Sequence, residues 1–413
     1  MIIRRVTLFL TFIILIALSI SFTSLIIKND LVICIDPGHG GLDGGCSYKD
    51  LVEKDINLKI ALKLRDSLEE AGYEVLMSRS ADIHLCKDKF SKKEDLITRI
   101  DLINNSKSTA FSFEILPPLK GNSIQKVYNV IDKLKEFDPK YINITSHHSE
   151  AIYRPQADGL LRRSMVLRRP GTVAIAAAIQ NKYGIQAVPH IICKGFTKEE
   201  TEYALLDLNF LGIHNLLLLR GDSKNVSVPA GQENLYNDYA TDLQKQVNDF
   251  NKGLDIYGDK IEGVDIPFSY GMACYPEKHE EAPNLNSDLR IAVEKVKNGA
   301  QYLVTQMFFD NQKYYDFVAK AREAGITVPI IPGIKPVVLR NQLNVLPKVF
   351  HTDIPEAFAN ELAKCKTDEE AKEVGVEWCL NQCRDLLDHG VNNLHFYTLM
   401  ASDSVARVAK EIF

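Results

Sequence analysis

The stretch "DLITRIDLINNSKSTAFSFEILPPLKG", residues 95–121, decides how this chain is organised. Its first half carries apolar residues at helical spacing and ends in a polar run. Its second half, from Thr109, is an apolar run closed by Pro117 and Pro118, which is typical of a buried β-strand and its turn. The pattern of the helix shows no relation to the strand that follows it. The sequence therefore predicts a junction near residues 106–109 between two unrelated segments, whether by natural fusion, assembly error or construction.

Downstream of the junction, eight strand-like segments alternate with helical patterns. These segments read "AFSFEILPP", "YINITS", "AVPHIIC", "NLLLLRGD", "PFSYGMACYP", "YLVTQMFF", "VPIIPGI" and "NLHFYTLM". Several of the helices end in Gly just before the next strand. Eight such repeats over about 300 residues are the pattern of a (β/α)8 TIM barrel, with a doubly wound open sheet as the alternative. The longer segment 337–391 is interpreted as extra helices, and residues 109–413 as one barrel domain.

Upstream of the junction, residues 29–108 begin as a β-α-β-α sequence. "LVICIDPGHGG" and "YEVLMSRS" are interpreted as strands, and "EKDINLKIALKLRDSLEEAG" and "KKEDLITRIDLINNSK" as helices. This order indicates an α/β sheet. It supplies too few strands to close a core, so we expect an incomplete α/β fragment.

Residues 1–28 differ from the rest of the chain. Arg4 and Arg5 precede an uncharged apolar run over residues 6–27, which is long enough to cross a bilayer. The arginine pair favours a cytoplasmic N-terminus with everything downstream outside. The sequence predicts a membrane anchor here; a cleaved signal segment and a buried core helix are the alternatives.

Composition sets further bounds. The net charge of -5 with 25% charged residues gives no basic field, so we expect no nucleic-acid partner. Eight cysteines at irregular spacings, with no CxxC, indicate reduced thiols rather than a disulfide framework. Cys379 and Cys383 lie at i, i+4, where buried packing is favoured over metal binding.

The first candidate site lies in the upstream fragment. His39 lies in the Gly-rich turn "DPGHGG", and Glu53 follows 14 residues later, just before a helix. A His and a Glu at such edges are possible ligands of a catalytic zinc. An ordinary strand-turn-helix with a surface His is the alternative.

The surrounding motifs extend this interpretation. "IDPGHGGLDGG", "EKDINL", "SRSAD" and "LITRIDLIN" resemble the zinc-dependent N-acetylmuramoyl-L-alanine amidases of peptidoglycan over about residues 1–107. The resemblance implies that His39 and Glu53 are two of three zinc ligands, with a His on the next strand as the third. The chain reads "STAFSFEILPP" at that place. A catalytic zinc needs three protein ligands, so we expect an inactive, vestigial site.

A second candidate site lies at the carboxyl ends of the barrel strands, where barrels of this type carry their active sites. A polar residue lies at or just after each of the first six strands: Glu114, Thr145, His190, Asp222, Tyr275 and Gln306. Each one alone is equally compatible with a helix cap or a turn. Six strands that show it together favour a functional site.

These strand ends carry a second resemblance. "FSFEILPP", "INITSHH", "VPHIIC", "LLLLRGD", "MACYPEKHEEA", "TQMFFD", "IPGIKP" and "HFYTL" are similar, in order, to 5,10-methylenetetrahydrofolate reductase over residues 109–413. The resemblance implies a bound FAD that is reduced by NADH or NADPH. It also implies a folate substrate, 5,10-methylenetetrahydrofolate, that is reduced to 5-methyltetrahydrofolate.

The resemblance also assigns roles to residues. Glu114, against an apolar wall, would have a raised pKa and supply a proton to the folate; Asp222 would orient the pterin and tune the flavin. Gln306 and Leu346 fall at substrate-binding positions, although Leu replaces a stacking Phe and puts that contact in doubt. The positions that match FAD contacts are Thr145, His190, Arg220, Gly221, Asp222, Tyr239, Ala240, Tyr275, His279, Asp288 and Lys295.

The two halves conflict in location. A reductase that uses cytosolic nicotinamide and folate is expected in the cytoplasm, whereas the N-terminal anchor would place it outside. We expect the reductase to be the function, because only that half has a complete set of parts. The alternative is a membrane-anchored amidase remnant that carries the barrel as a passenger. Relatives of the reductase self-associate, so a homo-oligomer is also expected.

Overall fold

A computed structural model forms two compact units, Met1–Ser108 and Thr109–Phe413, each described here by itself. The structure describes residues 32–86, 90–105, 109–222, 226, 228, 231–261, 264, 266–399 and 401–413. The anchor predicted over residues 1–28 lies outside these ranges. No helix within them combines the length and apolar character that a membrane span requires.

The first unit is a small α/β fragment. Its elements are β1 (Val32–Ile35), β2 (Ser47–Tyr48), β3 (Leu51–Val52), α1 (Glu53–Glu70), β4 (Glu74–Met77) and α2 (Lys92–Asn105). β1 and β4 form a two-stranded parallel sheet, and β2 and β3 form a short antiparallel hairpin. The predicted β-α-β-α order is therefore present among the described residues, with β2 and β3 as an addition that the sequence pattern did not reveal.

The second unit is built on a parallel sheet. Its strands are β5 (Ala110–Ile115), β6 (Tyr141–Ile144), β9 (Ala187–Ile192), β10 (Asn215–Leu219), β11 (Ser269–Cys274), β12 (Tyr302–Thr305), β13 (Ile330–Ile331), β14 (Gly333–Ile334) and β15 (Asn393–Leu399). Around the sheet the order is β13-β12-β11-β10-β9-β6-β5-β15-β14. Neighbours in space thus follow the order of the chain, which distinguishes the fold from a doubly wound open sheet.

The two ends of this strand order are the halves of one barrel strand. β13 pairs with β12, and β14 pairs with β15. Only Pro332 separates the two halves, and proline cannot donate to a strand ladder. Its carbonyl accepts a 3.1 Å hydrogen bond from the backbone nitrogen of His395. The nine short strands therefore form a nearly closed parallel barrel with eight strand positions, consistent with the predicted TIM-like fold.

Helices surround the barrel and connect its strands. They are α3 (Gln125–Leu134), α4 (Thr172–Tyr183), α5 (Lys198–Phe210), α6 (Ala240–Asn251), α7 (Leu285–Lys297), α8 (Asn311–Glu323), α9 (Gln342–Phe350), α10 (Glu356–Lys364), α11 (Asp368–Asp388) and α12 (Ser402–Ile412). Their apolar faces and the outward faces of the strands form the main core. Cys379 and Cys383 are buried in it, and all eight cysteines are free thiols.

Helices α9 to α11 occupy the long segment before the last strand. They bury a second apolar cluster with the residues that follow β12 and β14: Met307, Phe309, Val337, Leu346, Phe358, Leu362, Cys365 and Ala371. α11 lies so close to this end that a Cβ on Gly375 would overlap the carbonyl of Val337. Trp378 fixes the same contact with a 3.0 Å hydrogen bond to the carbonyl of Phe309. The insert therefore braces the loops after two adjacent strands.

In the barrel unit, the sequence pattern did not reveal a hairpin after the second strand, and it did not single out α9 within the segment 337–391 that was interpreted as extra helices. β7 (Glu150–Pro155) and β8 (Leu161–Val166) form an antiparallel hairpin between the second barrel strand and α4. α9 contains Pro347. Proline inside a helix removes a hydrogen bond and normally marks its end, which explains why the apolar pattern did not suggest α9.

Candidate active site

Glu114 lies near the end of β5 and is the acid at the centre of the site. Its side chain is only 7% exposed, and Phe113 and Ile115 on either side of it are also buried. Burial disfavours the charged carboxylate and raises the pKa of Glu114 to about 8, against an opposing effect of the Lys335 ammonium. Near neutral pH this carboxyl holds its proton.

Lys335 lies at the same level of the barrel. β14 pairs with β15 so that Ile334 opposes Phe396, which places Lys335 next to Tyr397 in register, and Tyr397 in turn pairs with Glu114. Lys335 is 4% exposed, and its Nζ donates a long 3.4 Å hydrogen bond to the Tyr397 carbonyl. Burial lowers the pKa of Lys335 to about 8, and Glu114 acts in the opposite direction. Residues Glu114 and Lys335 are called the acid–amine pair below.

His190 approaches Glu114 from β9. Its Nε2 lies 3.7 Å from Oε2 of Glu114, too far for a hydrogen bond, and has no hydrogen-bond partner. Deeper in the barrel, Nδ1 of His395 lies 2.9 Å from the Ser112 hydroxyl, and its Nε2 lies 3.4 Å from Nδ2 of Asn143. Burial lowers the pKa of both histidines to about 3. Both rings are therefore neutral, and the barrel interior is polar but almost uncharged.

A second group of predicted residues lies together after β11 and along α7. The rings of Tyr275 and His279 pack edge to face with centroids 4.8 Å apart. The backbone nitrogen of His279 donates a 2.9 Å hydrogen bond to Asp288. Lys295 is buried below them and donates to the Ala273 carbonyl at 2.7 Å. The structure thus brings together four positions that the sequence assigned to one cofactor.

The end of β10 supplies the next group. Arg220 forms a two-bond ion pair with Glu281, so its charge is already compensated. Gly221 has a φ of 84° and faces the side chain of Ile192, where a Cβ would be strained. Asp222 is exposed. Thr145, after β6, has a buried hydroxyl without a partner.

The other predicted residues are placed less uniformly. Tyr239 and Ala240 lie at the start of α6, with Tyr239 58% exposed. Gln306 follows β12, and its Oε1 accepts a 3.0 Å hydrogen bond from the nitrogen of Met307. Leu346 is only 2% exposed, within the apolar cluster under α9 to α11. Its assignment to the substrate stays a prediction.

Sequence reasoning missed several polar groups in the barrel. Lys335, His395 and Tyr397 lie in the quoted segments "IPGIKP" and "HFYTL", yet none was singled out. A lysine beside Pro336 is compatible with a surface loop, and only the sheet register shows that it is buried. Glu277, whose pKa is raised to about 7 by burial, was missed for the same reason.

In the first unit, the two predicted zinc ligands are adjacent. Nε2 of His39 lies 3.5 Å from Oε1 of Glu53, and its Nδ1 lies 2.9 Å from Asp43. The hydrogen bond from His39 lowers the pKa of Asp43 to about 2. Glu53 also accepts a 2.8 Å hydrogen bond from the backbone of Cys46. This arrangement directs Nε2 and one carboxylate oxygen to a common point.

Two buried arginines hold the loop that carries His39. Arg79 donates to the carbonyls of Pro37 and Gly38, and Arg99 donates to the carbonyl of His39 at 2.8 Å. Arg99 also pairs with Asp36 and Asp95, each at 2.7 Å. Across the described part of the chain, no group of three or more metal-ligating side chains is present. The loop is well braced, but the described ligand set has only two members.

The second unit is thus a parallel α/β barrel with a buried acid, an amine and neutral histidines at its carboxyl end. It belongs to the class of barrel proteins whose sites can donate and accept protons. A family model for methylenetetrahydrofolate reductase matches residues 99–412. The chain therefore belongs to the methylenetetrahydrofolate reductase family. A second family model, for N-acetylmuramoyl-L-alanine amidase, matches residues 33–112.

Individual proteins are similar to parts of this chain. A probable methylenetetrahydrofolate reductase (NADPH) from Caenorhabditis elegans is 28% identical over 77% of this chain and 44% of its own length. The 5,10-methylenetetrahydrofolate reductase of Escherichia coli is 29% identical over 70% of this chain and 85% of its own length. The solved CwlD amidase from Clostridioides difficile is 31% identical over 26% of this chain and 66% of that protein, with a TM-score of 0.18. The chain spans less than half the length of the first curated relatives that it matches.

Proposed function

We propose that the barrel unit catalyses the reduction of 5,10-methylenetetrahydrofolate to 5-methyltetrahydrofolate, with FAD as cofactor and NADH or NADPH as donor. The observation that carries this proposal is Glu114, a protonated carboxyl buried at the carboxyl end of the first barrel strand. Family membership supplies the reaction class. We expect the activity where reduced nicotinamide is available, in the cytoplasm.

The residues present fit a flavin. Near the strand ends, three buried polar atoms have no hydrogen-bond partner in the protein: Thr145 Oγ1, His147 Nδ1 and His190 Nε2. Buried polar groups are normally satisfied, so a polar ligand is the natural partner for these atoms. Tyr275 and His279 add ring surfaces, and Gly221 leaves room for close approach. When bound, FAD would accept a hydride from the nicotinamide and deliver it to the folate.

Glu114 would supply the proton that the reaction needs. The five-membered ring of the substrate has to open, with one of its nitrogens taking a proton, before the carbon can accept hydride. A carboxylic acid with a pKa near 8 is protonated at neutral pH and is still acidic enough to donate. The O–H bond of Glu114 breaks, the proton goes to nitrogen, and the carboxylate is later reprotonated from solvent. Asp222 and Gln306 are proposed to orient the pterin.

The amidase-like unit is proposed to be inactive. His39 and Glu53 offer two ligands to a zinc ion, and a hydrolytic zinc site needs three plus a bound water. The alternative function, a peptidoglycan amidase remnant with the barrel as passenger, has that adjacent pair as its support. Release of muropeptides by the zinc-loaded protein would favour it.

The first experiment is the visible absorption spectrum of the purified full-length protein, before and after anaerobic addition of NADH and then NADPH. An oxidised-flavin band that bleaches with either donor supports the reductase, and reoxidation by methylenetetrahydrofolate completes the test. A colourless protein that takes up no added FAD would contradict the proposal.

Glu114→Gln separates the two half-reactions. The substitution keeps the shape of the side chain and removes the proton donor. Reduction of the flavin by nicotinamide should persist, and folate reduction should fall by about 10²–10⁴-fold, the usual contribution of a general acid. Glu323→Gln, at an exposed site on α8, is the matched control. Equal folate reduction by both variants would remove Glu114 from the mechanism.

A further inference from the structure

We propose that Lys335 is the positioning and charge partner of Glu114: its buried ammonium stabilises the carboxylate that remains after Glu114 has given its proton to the folate nitrogen. This inference rests on the proposed reductase function. It concerns a residue in the segment "IPGIKP" to which no role was assigned from sequence.

The sheet register places the two groups at one level. Tyr397 on β15 pairs with Glu114 on β5, and Lys335 continues β14 on the other side of β15. The Tyr397 hydroxyl donates a 2.6 Å hydrogen bond across the barrel to the Thr305 carbonyl on β12, so this strand position faces the interior. The amine and the acid therefore flank one interior tyrosine at the carboxyl end of the barrel.

The backbone close to Lys335 packs against helix α11. Gly375 of α11 allows the helix backbone to lie against Val337, two residues after the lysine. Lys335 is 4% exposed and has one 3.4 Å hydrogen bond, to the Tyr397 carbonyl. A buried ammonium normally needs more than one long hydrogen bond. The carboxylate formed at Glu114 would supply the missing interaction.

No other charge competes with this pair. The titratable groups that face it are His190 on β9, Tyr397 on β15 and Cys379 on α11. Burial lowers the pKa of His190 to about 3 and raises the pKa of Tyr397 well above its usual value. The hydrogen bond with Cys383, together with burial, raises the pKa of Cys379 well above its usual value. Within the described ranges, Lys335 is thus the one charged group acting on Glu114 near neutral pH.

Physical consequences follow for proton transfer. With both pKa values at about 8, the neutral-pH state is a protonated acid beside an ammonium ion. Loss of the Glu114 proton then leaves a carboxylate that is stabilised by a nearby cation rather than an isolated buried anion. Because the two sites interact, they titrate as a pair. Removal of the ammonium makes Glu114 a weaker acid and slows donation.

The test compares Lys335→Met with Lys335→Arg, which keeps the charge, and with Lys320→Met on the exposed face of α8 as the matched control. Stopped-flow reoxidation of the reduced flavin by methylenetetrahydrofolate is recorded from pH 6 to pH 10 in the full-length holoenzyme. We expect the basic limb of this profile to move to higher pH by about one unit or more in Lys335→Met. The rate at neutral pH should fall roughly tenfold, less than in Glu114→Gln. Lys320→Met should keep the wild-type profile, and Lys335→Arg, which stays charged over the whole range, should not show the shift to higher pH.

A second measurement does not depend on turnover. Infrared difference spectra follow the carbonyl stretch of protonated carboxyl groups in the full chain over the same pH range. Glu277, with a pKa raised to about 7, also titrates there, so subtraction of the Glu114→Gln spectra isolates Glu114. Its midpoint should rise in Lys335→Met and stay in Lys335→Arg. If Lys335→Met fails to fold by circular dichroism, Lys335→Gln replaces it.

The two proposals fail in different ways. A wild-type holoenzyme that never reduces folate, at any pH, contradicts the reductase. A wild-type enzyme that reduces folate, together with an unchanged pH profile and an unchanged Glu114 midpoint in Lys335→Met, overturns the role of Lys335.

Discussion

Helix α1 of the amidase-like unit and helix α3 of the barrel unit both carry apolar residues at helical spacing, but these residues lie in different surroundings. α3 buries Val127, Ile131 and Leu134, each at 2% exposure or less. α1 packs one side against β4 but leaves Ile56, Ile60 and Leu64 exposed by 39%, 61% and 48%. An apolar stripe on a helix needs a surface to pack against, and the barrel unit provides one for α3 whereas the first unit leaves much of α1 uncovered.

The sheets explain the difference. In the barrel unit, the split seventh strand joins both ends of the strand order, so the strands have neighbours on both sides. In the first unit, β1 and β4 pair only with each other. Ala61, Cys86 and Pro37 are its only buried apolar side chains among the described residues. A two-stranded sheet with so little core is marginal by itself, whereas a closed ring carries its own stability.

Separation of the two units gives the largest expected effect. Residues 109–413 expressed alone should unfold cooperatively and keep the flavin, because their core is complete. Residues 1–108 alone should show no cooperative transition by circular dichroism and little protection from hydrogen exchange. The full-length chain is the control. A sharp transition in the short fragment, or loss of flavin from the long one, would contradict this difference in stability between the two units.

The sequence revealed the fold of the barrel unit better than its site. Apolar strands, helices ending in Gly and the β-α rhythm are local signals, and they predicted the strand positions of β5 to β15 apart from the hairpin. The burial of Lys335 and the contact of His395 with Ser112, 283 residues away, depend on register between distant strands. Local patterns do not report such register, so polar residues inside the barrel were missed.

Leu346 shows the same limit in the other direction. A resemblance placed it against the substrate, but resemblance carries no information on how α9, with its internal Pro347, packs on the loops. In the structure that helix turns Leu346 into an apolar cluster with Phe358 and Leu362. In the first unit, by contrast, the resemblance to amidases implied that His39 and Glu53 share a metal, and the structure places their side chains 3.5 Å apart.

Packing inside the ring should be the next most sensitive feature. Gly271 on β11 faces the ring of Tyr302, and a Cβ there would overlap it. Gly271→Ala should therefore lower the free energy of unfolding of the barrel unit by about 1–3 kcal/mol, as overpacking usually does. Gly171→Ala is the matched control, because Gly171 has a φ of -67° and open space around it. Equal unfolding midpoints in urea for both variants would show that the barrel interior accommodates an extra methyl group beside Tyr302.

The pH dependence of stability should come from the barrel interior. The unfolded chain binds protons at His190 and His395 below pH 6.5, and the folded state does not until about pH 3. Glu114 acts oppositely, since between pH 4.5 and about 8 only the folded state keeps its proton. Glu277, whose pKa burial raises to about 7, opposes the histidines in the same way as Glu114, so the measurements are made in a Glu277→Gln background. There, two protons favour the unfolded chain and one favours the folded state, so acidification from pH 6.5 to 4.5 should cost about 1.4 kcal/mol per pH unit.

Substitutions separate these contributions when the slope of the free energy of unfolding against pH is compared, rather than the free energy at one pH. His395→Gln removes one of the two histidine terms and should make the dependence nearly level in this window. Glu114→Gln removes the opposing term and should make it about twice as steep. Urea unfolding at several pH values measures both slopes. An unchanged slope in His395→Gln would mean that this ring is already charged in the folded state.

Added zinc should have the smallest effect on stability, and it tests the amidase-like unit. Nε2 of His39 and the carboxylate of Glu53 converge, but two protein ligands leave most of the coordination sphere to water. Added zinc should therefore shift the unfolding midpoint by little, and His39→Ala should remove whatever weak binding a competition assay with a coloured chelator detects. Lys63→Ala, on the exposed face of α1, is the control for surface effects.

Tight binding that His39→Ala abolishes would contradict this expectation, because it requires a third ligand. Asp43 is the nearest carboxylate, but it already accepts the Nδ1 hydrogen bond of His39 and orients that ring. Its proper role at such a site is to fix the tautomer that presents Nε2. Zinc held with high affinity would therefore have to recruit a side chain from elsewhere in the chain or from a second molecule. Dependence of zinc affinity on protein concentration would then distinguish those two sources.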